Sequence, residues 1–191
     1  ARDPERLHSA VETTVAVTFV MCALFTGIGV AGVRPMLRLM STPDDVFEDS
    51  VTYLTIYFWG FSGLLIYNTG SGILRAVGDT RRPLMYLTIA GVANVLLNIL
   101  FVAGLGMGVS GVAWATIAAQ AISAILVVLC LMRTEGSIHL DLKQLRLRAD
   151  KVVEIAKIGL PAGLQGIFFS FSNAIIQATV NSFGTVATAG N

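Results

Sequence analysis

Charge is what this sequence lacks. Of its 191 residues, 13% are Asp, Glu, Lys or Arg, about half the share of an ordinary soluble domain. None falls within residues 13–33, 50–74, 83–132 or 158–191. A helix on a soluble protein keeps one polar, charged face, so stretches this bare exclude a water-facing helical domain. Cysteine and histidine are scarce as well. The two cysteines, Cys22 and Cys130, lie inside apolar runs, where they read as small core residues and imply no disulfide framework. His8 and His139 sit in polar stretches far apart in the chain, which suggests neither a metal site nor a catalytic pair.

Apolar residues fill the gap. They make up 54% of the chain, and the mean hydropathy is +0.74. A helix needs about 20 apolar residues to cross a bilayer core, and the 83–132 run is long enough for two crossings. The expected fold is therefore all-α and polytopic, with membrane helices near Ala10–Gly32, Val51–Ile73, Leu84–Leu105, Ser110–Met132 and Val152–Phe183. Local chemistry supports several ends. The run Ser41-Thr42-Pro43-Asp44-Asp45 reads as an N-cap, a first-turn proline and helix-starting carboxylates. Gly78-Asp79 and the glycines of 104–108 mark turns, with Pro83 opening the third span. The chain starts at Ala-Arg-Asp-Pro and stops at Ala-Gly-Asn just past a span, so a piece of a larger protein is expected.

Basic residues orient the spans. Those before the first span, between the second and third, and between the fourth and fifth account for eleven of the thirteen Lys and Arg. The opposite side holds Arg34 and Arg38, offset by Asp44, Asp45, Glu48 and Asp49. The positive-inside rule then places the N-terminus of this segment and the 133–157 linker in the cytoplasm.

With lipid as solvent, polar residues inside spans carry the information. In "GVANVLLNILF" (91–101), Asn94 and Asn98 stand four residues apart. With 3.6 residues per turn, Thr88, Gly91, Asn94 and Asn98 share an arc of about 120°. Thr116, Gln120 and Ser123 share an arc of about 60° on the fourth span. Ser170, Asn173, Gln177 and Asn181 form a stripe on the fifth. Such stripes face protein or a water-filled cavity. Two roles stay open: hydrogen bonds between helices, or the lining of a path for an ion or solute.

Other features carry paired readings too. Tyr53, Tyr57, Trp59, Tyr67 and Asn68 fit an interfacial belt, but Trp59 and Ser62 lie deep enough to wall a cavity. Pro161, with Gly159, Gly163 and Gly166, permits a bend in a rocking helix or marks helix entry at the membrane surface. Gly27, Gly29, Ala31 and Gly32, and Ala115, Ala118 and Ala119, suit close helix packing. The alternating "IHLDL" (138–142) and "LRLR" (145–148) read as an interfacial connector, or as a contact for anionic lipid.

These residues carry a resemblance. "RPMLRLMSTPDDVFEDSVTYLTIY" (34–57), "YNTGSGILRAVGDTRRPLMYLTIAGVANVLLNILFV" (67–102) and "GMGVSGVAWATIAAQ" (106–120) resemble the multidrug and toxic compound extrusion (MATE) transporters. "IGLPAGLQGIFFSFSNAIIQATVNSFGTVATAGN" (158–191) is similar to the start of that family's second lobe. The resemblance implies a twelve-helix, two-lobe fold of which this chain holds helices three to seven. Residues 1–132 would be four helices of the N-lobe, 133–157 the cytoplasmic inter-lobe linker, and 158–191 the first helix of the C-lobe. It implies an antiporter of the cell (inner) membrane that expels small organic cations in exchange for protons or sodium ions. No other cofactor and no nucleic acid is expected; the expected partners are membrane lipid and the remaining helices of the full-length protein.

The resemblance also implies a cation site. Its fifth-helix amides match Asn94 and Asn98, and its sixth-helix hydroxyl matches Thr116, while the first-helix aspartate lies outside this chain. Asn98 stands where some relatives carry aspartate, so it can coordinate or donate but carries no titrating charge. The expected pathway residues are Asn94, Asn98, Thr116, Gln120, Asn68, Asn173 and Gln177. The 168–173 region lacks the mid-helix glutamate of some sodium-coupled relatives. A lipid-linked oligosaccharide flippase of the same superfamily is the alternative, but such proteins tend to carry cations at depth and these spans have none. An enzyme is not expected, because Glu12, Glu154 and Lys157 are the only charged span residues and lie near the ends.

Overall fold

The computed structural model describes residues 4–40, 42–134, 136, 138–141 and 145–182, with the side chains of Pro4, Asp45, Val109, Ala174 and 177–182 left aside. Five long helices dominate: α1 (Pro4–Leu39), α2 (Asp44–Ala76), α3 (Arg81–Asn98), α4 (Gly108–Arg133) and α5 (Ala149–Ser182). All five are long and apolar enough to cross a membrane. The expected spans at 10–32, 51–73 and 110–132 lie inside α1, α2 and α4, which overrun them, whereas the one at 84–105 outlasts α3 and the one at 152–183 follows α5 as far as Ser182. At 36 residues, α1 is about 54 Å long against a hydrocarbon core of about 30 Å. Apolarity marks the membrane crossing, whereas helix continues wherever backbone bonds can, so α1 passes through Arg34 and Pro35.

Several boundaries differ from expectation. Pro43 is itself the cap residue of α2, no side chain caps it, and Asp44 starts the helix. Ser41 lies outside the described residues. α3 begins at Arg81, so Pro83 falls inside its first turn rather than opening it. There the Oδ1 of Asp79 accepts the Arg82 N–H at 3.1 Å, replacing a lost helical partner. Beyond Asn98 the helix widens into a π turn, Ile99–Gly104. The 104–108 turn closes on Gly106 (φ 63°) and Gly108 (φ 58°), left-handed angles that favour glycine. α5 starts well before Pro161 and runs through it, so that proline does not mark helix entry.

The chain divides into two compact units, 1–148 and 149–191. In the first, α2 packs against α1 on one side and α4 on the other, and α3 lies against α4. Glycines set the α2–α4 approach. A methyl group on Gly63 would meet the Gln120 backbone at 3.2 Å, and one on Gly70 would meet Val127 at 2.7 Å. Ala115 and Ala119, buried on α4, fulfil the small-residue expectation. In α1, Gly29 has Phe58 against it, but Gly27 and Gly32 face open space. Cys22 and Cys130 are free thiols in buried positions.

One buried apolar cluster sits at one end. Val11 and Val15 of α1, Leu74 of α2, and Val127, Cys130 and Leu131 of α4 form one cluster with Ile138 and Leu140. This is the basic end, where α1 begins and α4 finishes. Of the alternating residues, Ile138 and Leu140 pack into this cluster. Ile138 and Leu140 are 8% and 1% exposed, because the helix ends offer a drier place for them than the membrane surface. At the opposite, acidic end, both guanidinium nitrogens of Arg34 reach Glu48, at 3.0 and 2.9 Å. Both side chains are more than half exposed, so this pair adds at most about 1 kcal/mol.

The second unit is described through α5 alone. Lys151 Nζ lies 2.8 Å from Glu154 Oε2, and the described side chains from Gly159 to Asn173 are exposed.

Candidate polar pathway

Asn94 and Asn98 form a joined pair. The Nδ2 of Asn98 donates to the Asn94 carbonyl at 2.9 Å and to Asn94 Oδ1 at 3.1 Å. Both residues are half-buried, and Ala90, one turn earlier, is buried. Pro83, Tyr86, Ala90, Ala93 and Leu97 make the covered face of α3, and the two amides lie along its edge. Thr88 and Gly91 continue the stripe outward and are exposed. The polar stripe of α3 thus runs along the margin of the α4 contact, not through its centre. The π turn begins at the residue after Asn98.

The α4 stripe divides. Thr116 is half-buried and its Oγ1 donates back to the Val112 carbonyl at 2.9 Å. Gln120 packs on α2 at Gly60 and Gly63, and Ser123, 4% exposed, donates to the Gln120 carbonyl. Gln120 and Ser123 therefore serve the α2–α4 crossing. Among the described residues, no hydrogen bond joins Thr116 to Asn94 or Asn98.

The remaining expected residues stand apart. Asn68 is exposed and its Nδ2 donates to Leu64 O at 2.9 Å. Asn173 is exposed on α5, in the second unit. The side chain of Gln177 lies outside the described residues, as does that of Asn181.

A second polar seam escapes the sequence pattern. Between α1 and α2, Thr18 Oγ1 meets Thr69 Oγ1 at 3.0 Å, and Thr26 Oγ1 meets Ser62 Oγ at 2.9 Å. Thr26 also lies 3.3 Å from the Phe58 carbonyl. The signal was present as Thr18 and Thr26, spaced eight residues apart on one helix face, but each stands alone in its turn. Beside this seam an open cleft of about 590 Å³ is lined by Cys22, Ala23, Thr26, Gly27, Trp59 and Ser62, among others. Gly27 and Ala31 line this cleft instead of a helix contact, and Trp59 is 65% exposed along it. A second cleft of about 650 Å³ opens at the acidic end between Leu37, Asp49, Tyr53 and Met107.

At the basic end, Arg82 ties the α2–α3 turn to α4. Its Nε lies 3.2 Å from Asp79 Oδ2, and its Nη1 donates to Thr134 Oγ1 at 3.3 Å. The Tyr67 hydroxyl donates to the Pro83 carbonyl at 2.9 Å, so this tyrosine holds a turn in place as well as suiting a membrane interface. No group of three His, Cys, Asp or Glu able to hold a metal ion occurs among the described residues.

Five helices long and apolar enough to cross a membrane define a multi-pass helical membrane protein. Its family follows from comparison: residues 1–100 match the MatE family model, and the chain belongs to that family. It is 29% identical over 196 residues to the probable multidrug resistance protein YoeA of Bacillus subtilis (strain 168), covering 99% of this chain and 42% of that protein. It is 33% identical over 178 residues to YpnP, another probable multidrug resistance protein of the same organism, covering 92% of this chain and 40% of the relative. The fold matches a crystal structure of MATE in complex with MaL6, with a TM-score of 0.86 at 20% identity, over 94% of this chain and 40% of that one. The chain therefore spans about two fifths of these relatives' length.

Proposed function

We propose that the full-length protein is a cation-coupled antiporter that exports drug-like organic cations by alternating access. Family membership together with similarity, over nearly the whole chain, to two proteins named for multidrug resistance carries this reading. Residues 1–132 belong in this view to the first lobe of a twelve-helix carrier, 133–157 to the linker, and 158–191 to the start of the second lobe. The basic end faces the cytoplasm of a cell whose inner membrane holds the protein.

The Asn94–Asn98 pair is the proposed contribution of this chain to cation handling. A monovalent cation in a low-dielectric site needs oxygen ligands. Asn98 spends its Nδ2 on Asn94, which leaves its own Oδ1 free to accept. Thr116 would join after rotating its hydroxyl away from Val112. Gln120, Asn68, Asn173 and Gln177 complete the proposed pathway, with the remaining helices supplying charge. The coupling ion is a proton or sodium.

Ethidium efflux from cells expressing the full-length protein tests the reading. Efflux should fall when either the proton or the sodium gradient is collapsed, and the sensitive gradient names the ion. Efflux indifferent to both would refute the antiporter.

A further inference from the structure

The described connector residues, 138–141 and 145–148, are bound to the first unit by contacts unlike those of a loose loop. Thr13 is fully buried, and its Oγ1 donates at 3.2 Å to the carbonyl of Arg146, 133 residues away. Thr52, Thr88 and Thr116 instead donate within their own helices, to Glu48 O, Leu84 O and Val112 O. Thr13 is thus committed to the connector. The Leu140 N–H donates to the Leu131 carbonyl at 3.2 Å, satisfying one of the last carbonyls of α4, which lack helical partners. Ile138 and Leu140 fill the space between Val11, Val15, Leu74, Val127 and Leu131, joining three helices. Arg148 Nη1 donates to Ser9 Oγ at 3.0 Å, while Leu147 is 58% exposed.

We propose that this connector is a strap that pins the basic ends of α1, α2 and α4 and stays docked while the carrier cycles. Motion then enters the chain after Arg148, where the first compact unit ends. The inference rests on the transport reading above. Lifting the strap would expose two apolar side chains, strip a buried hydroxyl of its acceptor and orphan an α4 carbonyl. Each of these changes opposes release, and together they favour a strap that moves with its helices.

The test uses the full-length protein with Cys22 and Cys130 replaced by Ala and with Ser9→Cys and Arg148→Cys, a pair whose native side chains meet, introduced together. Membranes are treated with copper phenanthroline or a short bis-methanethiosulfonate, and ethidium efflux is measured before and after. The expected result is crosslinking of most molecules with efflux unchanged within about twofold. Absence of a crosslink, in protein whose cysteines both label after denaturation, would overturn docking. A crosslink that lowers efflux tenfold or more, reversed by reductant, would show that the strap must lift and would overturn the proposal. Amide exchange on the unsubstituted protein checks docking without mutation: Leu140 should exchange at least tenfold more slowly than the same amide in an unstructured peptide, and equal rates would overturn it. If the unsubstituted protein moves no ethidium, the transport reading is what fails; crosslink yield and Leu140 exchange then decide whether the strap is docked.

Discussion

Asn98 shows how much one side chain can carry in a membrane. Its amide both holds Asn94 and stops a carbonyl of α3 from being bonded by its helical partner alone. Leucine keeps the branch at Cγ, is larger and has the better helix propensity, so Asn98→Leu removes two hydrogen bonds without opening a cavity. Bonds of this kind average about 0.6 kcal/mol inside membranes, too little to unfold the protein. Asn98→Leu is therefore expected to leave expression and melting nearly unchanged while abolishing ion-dependent efflux. Normal ion-dependent efflux in that variant would assign Asn98 to helix packing. The i, i+4 spacing of the pair was legible in the sequence, and so was the shared face. What that face meets was not, because periodicity fixes an angle around one helix and says nothing of its neighbours.

At the scale of elements, the α2–α4 crossing is decided by glycine. Gly63 meets the Gln120 backbone, which has no flexible end to yield, whereas Gly72 on the same helix has nothing within 4 Å. Gly63→Val should cost about 1–3 kcal/mol by overpacking, read as a lower melting midpoint of the purified protein. Gly72→Ala should leave that midpoint unchanged or raise it slightly, since alanine favours helix by about 1 kcal/mol over glycine. Equal effects at the two sites would contradict the crossing described. The four charge-free runs, one of them long enough for two crossings, announced the five helices, but not their ends, because lipid selects apolar residues only over the core thickness. The same limit explains the connector. Its alternation of apolar and polar residues suits a membrane surface and the end of a helix bundle equally well, and only packing distinguishes Ile138 and Leu140 from surface anchors.

For the whole molecule, charge asymmetry yields a direct experiment. A cysteine at Asp49 in the acidic cluster should react with a membrane-impermeant maleimide in intact cells. One at Arg148 should react only after permeabilisation. The reverse pattern would invert the proposed orientation. Both positions lie outside the apolar core of the spans, so the substitutions remove no deep contact.

The sequence by itself determined the solvent, the helix count and the polar faces, since each follows from local composition and the 3.6-residue period. It also carried the family likeness, through motifs kept in order along the chain. Only the tertiary structure decided the order in which α1, α2, α4 and α3 lie side by side, the Thr18–Thr69 and Thr26–Ser62 seam, and the split of the α4 stripe between Thr116 and the α2 contact. It alone placed Leu140 among three helices. Those outcomes depend on contacts between residues tens of positions apart, and a one-dimensional pattern holds no distance between them.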